Sequence, residues 1–331
     1  MKKFLVITLC LLMVASVMLV GCSKEGTSND TPATTVKFGA GLYVSAPTTA
    51  DATADKNGSG KLDVTAAAIT VDADGKIVAC ALDTASNTVG FTADGKAVAN
   101  EAFKTKYEMG ADYNMVAYGG ATKEWFEQAD AFEAVVAGKT LDEVKALVAD
   151  ANKGTEEVVN AGCTIMIHEF VGAIEKAYNA ANVEVAADAA LKVNFVTEQT
   201  LTDATEEKDG SNKIAVTVFA AANDAEGKVL ASSTDCVEVT FTFDMSGVST
   251  LDTTKAVVSK KEQGTNYGMV AYGGSAKEWF EQAAAFDAAC VGKTGSEIAG
   301  LMGEDGKGVS ELQSAGCTIY VTGFVKAAAK N

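Results

Sequence analysis

The chain contains the same sequence twice. The segment Tyr113–Thr140 matches Tyr267–Thr294 without a gap, and 20 of the 28 positions are identical. Upstream, Asp51–Lys76 matches Asp203–Lys228. The first match has an offset of 154 residues and the second an offset of 152, so a two-residue insertion lies between them. A copy of roughly 140 residues has the usual size of a domain. We therefore expect the chain to build one fold twice.

The duplication sets the expected domain boundaries. We assign residues 1–21 to a signal peptide and residues 22–36 to a polar linker. The first copy then spans 37–180 and the second 181–331, with the boundary near Asn179–Val185.

The first half of each copy has the pattern of β-hairpins. It alternates, is rich in Val, Thr, Ala and Ile, and contains turn dipeptides that predict tight hairpins between strands. These dipeptides are Asn57-Gly58, Asp74-Gly75, Asp209-Gly210 and Glu226-Gly227.

The second half of each copy changes to a helical period. Trp125, Ala129, Phe132 and Val136 fall on one helical face, and Trp279, Ala283, Phe286 and Cys290 repeat this spacing. Capping-box strings at Thr140–Glu143 and Thr294–Glu297 predict a further short helix in each copy. The expected fold class is α+β, with two tandem copies of an antiparallel sheet packed with helices. We expect both tryptophans in the core rather than stacked on a ligand.

The N-terminus has the pattern of an export signal. Two lysines precede an apolar run, Phe4–Val20, which is slightly shorter than the ~20 residues of a spanning helix. The string Leu19-Val20-Gly21-Cys22 resembles the lipobox of bacterial lipoproteins, which implies cleavage before Cys22 and a lipid on that cysteine. An uncleaved membrane anchor is the alternative. Either way, we expect the protein on the outer face of a bacterial cell membrane.

The charge excludes one class of partner. Removing residues 1–21 takes away two lysines and no acid, which leaves 25 Lys against 44 Asp and Glu, a net charge of −19. A surface this acidic repels phosphate backbones, so we exclude nucleic acid as a partner. The sequence has no arginine, so an anionic ligand must be held by lysine or by backbone N–H groups.

The cysteines and the single histidine, His168, do not predict a metal site. Five cysteines remain after Cys10 and Cys22, an odd number without a C-x-x-C pair, and we expect buried free thiols. The string Asp55–Gly60 has the first half of a calcium loop, with oxygen ligands at Asp55, Asn57 and Ser59. Ala66 stands where that loop needs a carboxylate, so a hairpin turn is favoured over a weak calcium site.

The pentapeptide Ala-Gly-Cys-Thr-Ile occurs in both copies, at 161–165 and 315–319. Gly162-Cys163-Thr164 and Gly316-Cys317-Thr318 resemble the Ser-Gly-Ala-Thr attachment motif of the FMN-binding domain family of extracytoplasmic flavoproteins. The strings FVGAIEKA and FVKAAAK then follow at the spacing of the family's helix. The resemblance implies that a flavin transferase esterifies FMN onto Thr164 and Thr318, with Gly162 and Gly316 allowing close approach. It also places the flavin rings near Tyr118 and Tyr272.

Both copies depart from that motif in the same way. Val158 and Leu312 replace its aspartate, and Met166 and Tyr320 replace its second hydroxyl residue. Covalent FMN, non-covalent FMN and no flavin therefore all stay open. If the threonine directly precedes a helix, helix N–H groups would support a phosphate there. Alternatively, Gly-Cys-Thr-Ile is a buried strand in each copy, and the helix begins only at His168 or Thr322.

Two classes of function follow. The first is a lipid-anchored flavin electron carrier with redox partners at the cell surface, an enzyme only in that sense. The second is a cofactor-free surface module for binding or structure. A solute receptor for a transporter is a weaker third, because the two lobes of such receptors are not tandem copies.

Overall fold

In the computed structural model, which describes residues 35–331, each copy begins with strands and ends with helices. The strands of the first half are β1 (Thr35–Val44), β2 (Thr48–Ala50), β3 (Gly58–Val71), β4 (Ile77–Phe91) and β5 (Ala97–Val98). Its helices are α1 (Lys106–Met109), α2 (Trp125–Val136), α3 (Leu141–Lys145), α4 (Glu156–Ala161) and α5 (His168–Asn179). Short 3₁₀ turns occupy Gly110–Tyr113 and Asp150–Asn152. The predicted signal peptide and Cys22 lie outside the described residues.

The second half repeats this order. Its strands are β6 (Val183–Ala186), β7 (Ala190–Thr202), β8 (Gly210–Asn223) and β9 (Val229–Phe243). Its helices are α6 (Lys260–Gln263), α7 (Trp279–Cys290), α8 (Gly295–Ile298), α9 (Ser310–Ser314) and α10 (Thr322–Ala328), with 3₁₀ turns at Gly264–Tyr267 and Ala299–Leu301. The predicted α+β class, with antiparallel sheets and packed helices, is confirmed.

The strands form two antiparallel sheets. The first has the order β5-β4-β3-β1-β6, with β2 also paired to β3, and the second has the order β7-β8-β9. Strand β6 follows the first copy along the chain yet pairs with β1, where Val185 lies opposite Val36. The link between the copies is thereby built into the first sheet, and residues 35–331 fall within one compact unit.

The hairpin turns differ in part from the prediction. Gly75 and Gly227 have positive φ angles of 78° and 75° and turn the chain as expected. The predicted turn at Asn57-Gly58 is wrong, because Gly58 already belongs to β3 and the turn lies between Thr53 and Lys56. A side chain on Gly58 would collide with the ring of Phe91, so this glycine serves close packing. The same holds for the predicted turn at Asp209-Gly210, whose glycine starts β8 against the ring of Phe243.

Each sheet is apolar on both faces. In β3, Ala66 belongs to a cluster shared with the second sheet, whereas its neighbour Ala67 packs under the helices of its own copy. Successive side chains of a strand point to opposite faces, so one strand serves two cores. The molecule is therefore layered as helices, sheet, sheet and helices.

The two tryptophan-bearing helices pack as predicted. Trp125 and Trp279 are buried, and each meets a phenylalanine of the last helix of its copy edge-on, Phe170 at 5.7 Å and Phe324 at 5.5 Å between ring centroids. The expected capping boxes at Thr140 and Thr294 are also formed. The prediction that the tryptophans belong to the core is confirmed.

Contacts between the copies come in matched pairs. The rings of Phe91 and Phe243, equivalent residues at the ends of β4 and β9, stack with centroids 4.6 Å apart and planes 7° from parallel. The ion pair between Lys176 and Glu262 has its counterpart between Lys330 and Glu108. The last helical segment of each copy thus reaches the first helix of the other, as in a two-fold arrangement.

The stacked phenylalanines generate a stability prediction. Both rings are fully buried, so we expect Phe91→Ala to lower the free energy of unfolding by ~3–5 kcal/mol through lost burial and a cavity. Denaturant titration measures this change. Tyr118→Ala is the matched control, because that ring is exposed and its removal should change stability by less than ~0.5 kcal/mol. Equal effects of the two variants would contradict the sheet-to-sheet core.

Candidate functional site

The two threonines of the pentapeptides have the same environment. The backbone N–H and the hydroxyl of Thr164 both donate to Oε1 of Gln128, at 2.8 and 3.0 Å. Thr318 makes the same two bonds to Gln282, at the same distances. Each glutamine is only 1% exposed, whereas both threonines are exposed. A residue of the tryptophan helix thus fixes each threonine at the surface.

The preceding glycines cap short helices. Gly162 and Gly316 have φ angles of 106° and 104°, which strongly favour glycine. A side chain on either glycine would collide with a lysine ammonium, that of Lys123 in the first copy and of Lys277 in the second. Nζ of Lys277 also donates to the carbonyl of Ala315 at 3.2 Å. The glycine that stands two residues before each threonine therefore lies beside a positively charged group.

The helix that follows begins later than an anion site at its N-terminus would require. Helix α5 starts at His168 and α10 at Thr322, four residues beyond each threonine, as the alternative interpretation expected. The buried strand of that interpretation is wrong, because residues 162–165 and 316–319 form no strand and both threonines are exposed. Each threonine instead follows the carboxyl end of a short helix, α4 or α9. The expectation that helix N–H groups would support a phosphate at each threonine is therefore wrong. Lys123 and Lys277 supply the nearby positive charge.

Tyr118 and Tyr272 lie at the tips of matching loops. The rings are 88% and 92% exposed, and Gly120 and Gly274 turn the chain with φ angles of 68° and 64°. In the first loop, the carboxylate of Glu124 accepts the N–H groups of Met115 and Val116. Because both rings are exposed to solvent, they do not line a preformed pocket for a flavin ring. The residues around Thr164 and Thr318 thus fit the phosphate of FMN better than its ring.

Sequence reasoning missed a pair of clefts between the copies. The first, of about 450 Å³, lies between β4, α1 and α2 of the first copy and β7 of the second. The second, of about 490 Å³, lies between β9, α6 and α7 of the second copy and β1 of the first. The two clefts use equivalent elements, so they are related by the same internal symmetry as the cross-copy ion pairs.

The first cleft holds two acids in a poorly solvated position. Oδ1 of Asp83 accepts the N–H groups of Thr84 at 2.7 Å and Tyr107 at 3.2 Å, and Oε1 of Glu133 accepts that of Leu82 at 2.7 Å. Burial raises the pKa of Asp83 to about 7 and that of Glu133 to about 8. Burial disfavours the charged form of each, and repulsion from Asp130 and then from Asp83 adds to the effect on Glu133.

The second cleft holds one of the equivalent acids, Asp287, together with Lys261, and the other acid, Asp235, lies outside its lining. Asp287 accepts the N–H of Thr234 at 3.0 Å and its hydroxyl at 2.6 Å. Nζ of Lys261 lies 3.6 Å from Oδ2 of Asp287 and donates to Oγ of Ser233 at 2.8 Å. Burial raises the pKa of Asp235, and the positive charge of Lys261 partly opposes this rise. The position of Lys261 is occupied by Tyr107 in the first copy.

One signal in the sequence could have revealed these acids. Asp83 and Asp235 occupy equivalent positions inside long strands, and Glu133 and Asp287 follow the buried phenylalanine of each tryptophan helix. A carboxylate kept in both copies beside core positions indicates a role other than solubility. The cleft itself depends on how the copies pack, which the sequence pattern does not encode.

The remaining chemistry-bearing residues form no metal centre in the described part of the chain. Residues 35–331 contain no group of three or more His, Cys, Asp or Glu side chains placed to hold a metal ion. The calcium-like string forms the hairpin between β2 and β3. The five described cysteines are free thiols, and all except Cys80 are buried, as expected. No helix among the described residues is long and apolar enough to span a membrane.

Comparisons with protein-family models, curated proteins and solved structures find no match to this chain.

The raised pKa values predict a pH dependence of stability. The pKa values of Asp83 and Glu133 are higher in the folded chain than their ordinary values of 3.8 and 4.5, which apply in the unfolded chain. The folded chain therefore binds these protons more tightly. Unfolding therefore releases protons between pH about 4 and about 8, and stability falls as pH rises through this window. One pKa unit corresponds to ~1.4 kcal/mol. For Glu133 the rise from 4.5 to about 8 corresponds to at most ~5 kcal/mol, and partial contact with solvent reduces it, so we expect Glu133→Gln to raise the free energy of unfolding at pH 8 by at least about 2 kcal/mol.

This change is measured by denaturant titration between pH 5 and pH 8. Glutamine keeps an Oε1 acceptor for the N–H of Leu82 and carries no charge, so the variant should show a flatter profile than the wild type. Glu206→Gln is the control, because Glu206 is exposed in a turn. Parallel profiles for the wild type and Glu133→Gln would contradict a buried acid with a raised pKa.

Proposed function

We propose that this protein is an exported, lipid-anchored lipoprotein whose two FMN-binding-like copies together form a small-ligand-binding module on the outer face of a bacterial cell membrane. The observation that carries the proposal is the pair of clefts at the junction of the copies. The first combines apolar walls with the carboxyl groups of Asp83 and Glu133, and the second combines them with the carboxyl group of Asp287.

The size and chemistry of the clefts support binding. Sites for small molecules are concave, have volumes of roughly 300–1,000 Å³ and combine apolar walls with a few polar groups that orient the ligand. Both clefts have volumes in this range. Acids whose pKa values are raised by burial cluster at functional sites, so Asp83 and Glu133 support the first cleft as a binding site.

A fragment titration tests this function. The ¹⁵N-labelled mature chain is titrated with a small library of ammonium, carboxylate and neutral fragments, and backbone amide shifts are mapped onto the structure. Binding predicts shifts on both walls of a cleft, for example at Leu82 on β4 and Val193 on β7. Shifts confined to the exposed loops, or no shifts with any fragment, would overturn the proposal.

The lipid anchor generates a separate prediction. Replacing Cys22 by serine should release the protein from membranes or leave the precursor uncleaved, because no described helix could anchor the chain instead. Detergent partitioning of cells that express each form measures this. A Ser23→Ala variant is the control and should stay in the detergent phase. Unchanged partitioning of Cys22→Ser would argue for another attachment.

Flavin electron transfer is the second candidate, and the twinned threonines favour it. Thr164 and Thr318 present exposed hydroxyl groups near Lys123 and Lys277, in the same geometry in both copies. A phosphate joined to either threonine would have the lysine for charge balance and Gln128 or Gln282 to orient the chain. FMN bound there would supply the redox chemistry and the protein only its attachment. Tyr118 and Tyr272 would be the nearest candidates for stacking on its ring.

Covalent flavin is tested by intact mass after co-expression with a flavin transferase. The expected increase is one FMN less one water for each occupied site. Thr164→Val should remove one increment and Thr318→Val the other, because valine keeps the shape of threonine and lacks its hydroxyl. Thr164→Ser and Thr318→Ser are the matched controls and should keep both increments. A colourless protein without added mass would leave the threonines structural.

A further inference from the structure

The two clefts are built from equivalent residues with one informative difference. Asp83 corresponds to Asp235 and Glu133 to Asp287, and the facing strand segments β7 and β1 are equivalent as well. At the position where the first helix of each copy meets the acids, the second copy has Lys261 and the first has Tyr107.

In the second cleft, Lys261 fills the acidic position from within the protein. Its ammonium lies 3.6 Å from the carboxylate of Asp287 and 2.8 Å from the hydroxyl of Ser233, and its backbone N–H donates to Asp235 at 3.1 Å. A buried carboxylate is stable when it has such a cation, because the pair offsets part of the cost of losing water. The second cleft therefore shows that an ammonium group fits beside the acid of the tryptophan helix.

In the first cleft, the neighbouring lysines are engaged elsewhere. Nζ of Lys106 lies over the rings of Trp125 and Tyr113, at 5.3 and 5.5 Å from their centroids. Nζ of Lys330 contacts Glu108 and donates to the carbonyl of Phe195 at 2.7 Å. Among the described residues, no lysine forms an ion pair with Asp83 or Glu133, although an exposed Lys192 lies on the rim.

The remaining walls of the first cleft suit the hydrocarbon part of a ligand rather than a second charge. The apolar side chains of Leu82, Leu191 and Val193 line the same cleft and suit a short hydrocarbon body.

We infer that the first cleft binds a small primary ammonium compound, with its charged end between Asp83 and Glu133, where the second cleft places the side chain of Lys261. This inference rests on the proposed binding function and names the ligand class for one of its two sites. The second cleft keeps a volume of about 490 Å³, but the ammonium of Lys261 already occupies the charged position beside Asp287. The duplication thus yields one open and one self-occupied site.

Binding is coupled to proton release. An ammonium pairs with the ionised acids, and these are partly protonated at neutral pH, so affinity should increase at least tenfold from pH 6 to pH 8. The charged and titratable groups that face the acids are Lys106, Tyr107, Glu108, Asp130, Lys192 and Lys330.

The test uses n-butylamine, because a butylammonium ion is the side chain of lysine. Calorimetric titration of the full mature chain should show one site, with n-butanol and butyrate as uncharged and anionic controls that bind at least tenfold more weakly. Tyr107→Lys should weaken binding at least tenfold by placing a lysine in the first cleft. Val248→Lys adds the same charge to an exposed turn and should leave binding unchanged.

The reciprocal change makes the test sharper. Lys261→Tyr should open the second cleft and raise the stoichiometry from one to two, and Tyr107→Lys with Lys261→Tyr should keep one site but move it to the second cleft. Lys261→Met removes the same charge with a smaller change of shape, so it replaces Lys261→Tyr if that variant does not fold. Amide shifts at Leu82 or Ser233 identify the occupied cleft.

The outcomes separate this inference from the function on which it rests. If neutral or anionic fragments bind the clefts and n-butylamine does not, the ammonium inference is overturned and the binding function stands. If n-butylamine binds Tyr107→Lys and the wild type equally well, the inference is also overturned. If no fragment of any charge shifts the cleft residues, both are overturned.

Discussion

The rest of the structure depends on the packing of the two sheets against each other. Each sheet is apolar on both faces, and the helices of its own copy cover only one of them. The other face must be removed from water, since an exposed apolar patch of that size would drive association. The second copy of the same domain provides the cover. The stacked rings of Phe91 and Phe243 mark one end of this shared core.

The clefts are a consequence of that packing. When the sheets meet, the edge of each comes close to the first helix and the tryptophan helix of the other copy, and a concave space remains at each of the two places. Because both spaces arise from one duplicated sequence, they begin with the same acids. A single exchange, Tyr107 for Lys261, is enough to make them chemically different.

The candidate site shows where local patterns mislead. The glycine of each pentapeptide has a positive φ angle, so the sequence indicates correctly that the chain turns at this residue. The expected anion site in front of a helix is absent at Thr164, because four residues separate this threonine from α5 and a lysine from the preceding loop lies beside Gly162 instead. Gly58 likewise has the sequence of a turn, yet it serves the close approach of Phe91.

The sequence by itself determined that the fold occurs twice, that strands precede helices in each copy, and that the tryptophan helices are buried. These properties follow from periodicity and repetition, which are local and visible in one dimension. Only the tertiary structure decided that the two sheets share a core, that β6 joins the first sheet, and that Asp83 and Glu133 face a strand of the other copy. The physical reason is that the hydrophobic effect is non-directional. The apolar pattern of a strand therefore shows that a face is buried, but it does not show which distant element covers that face.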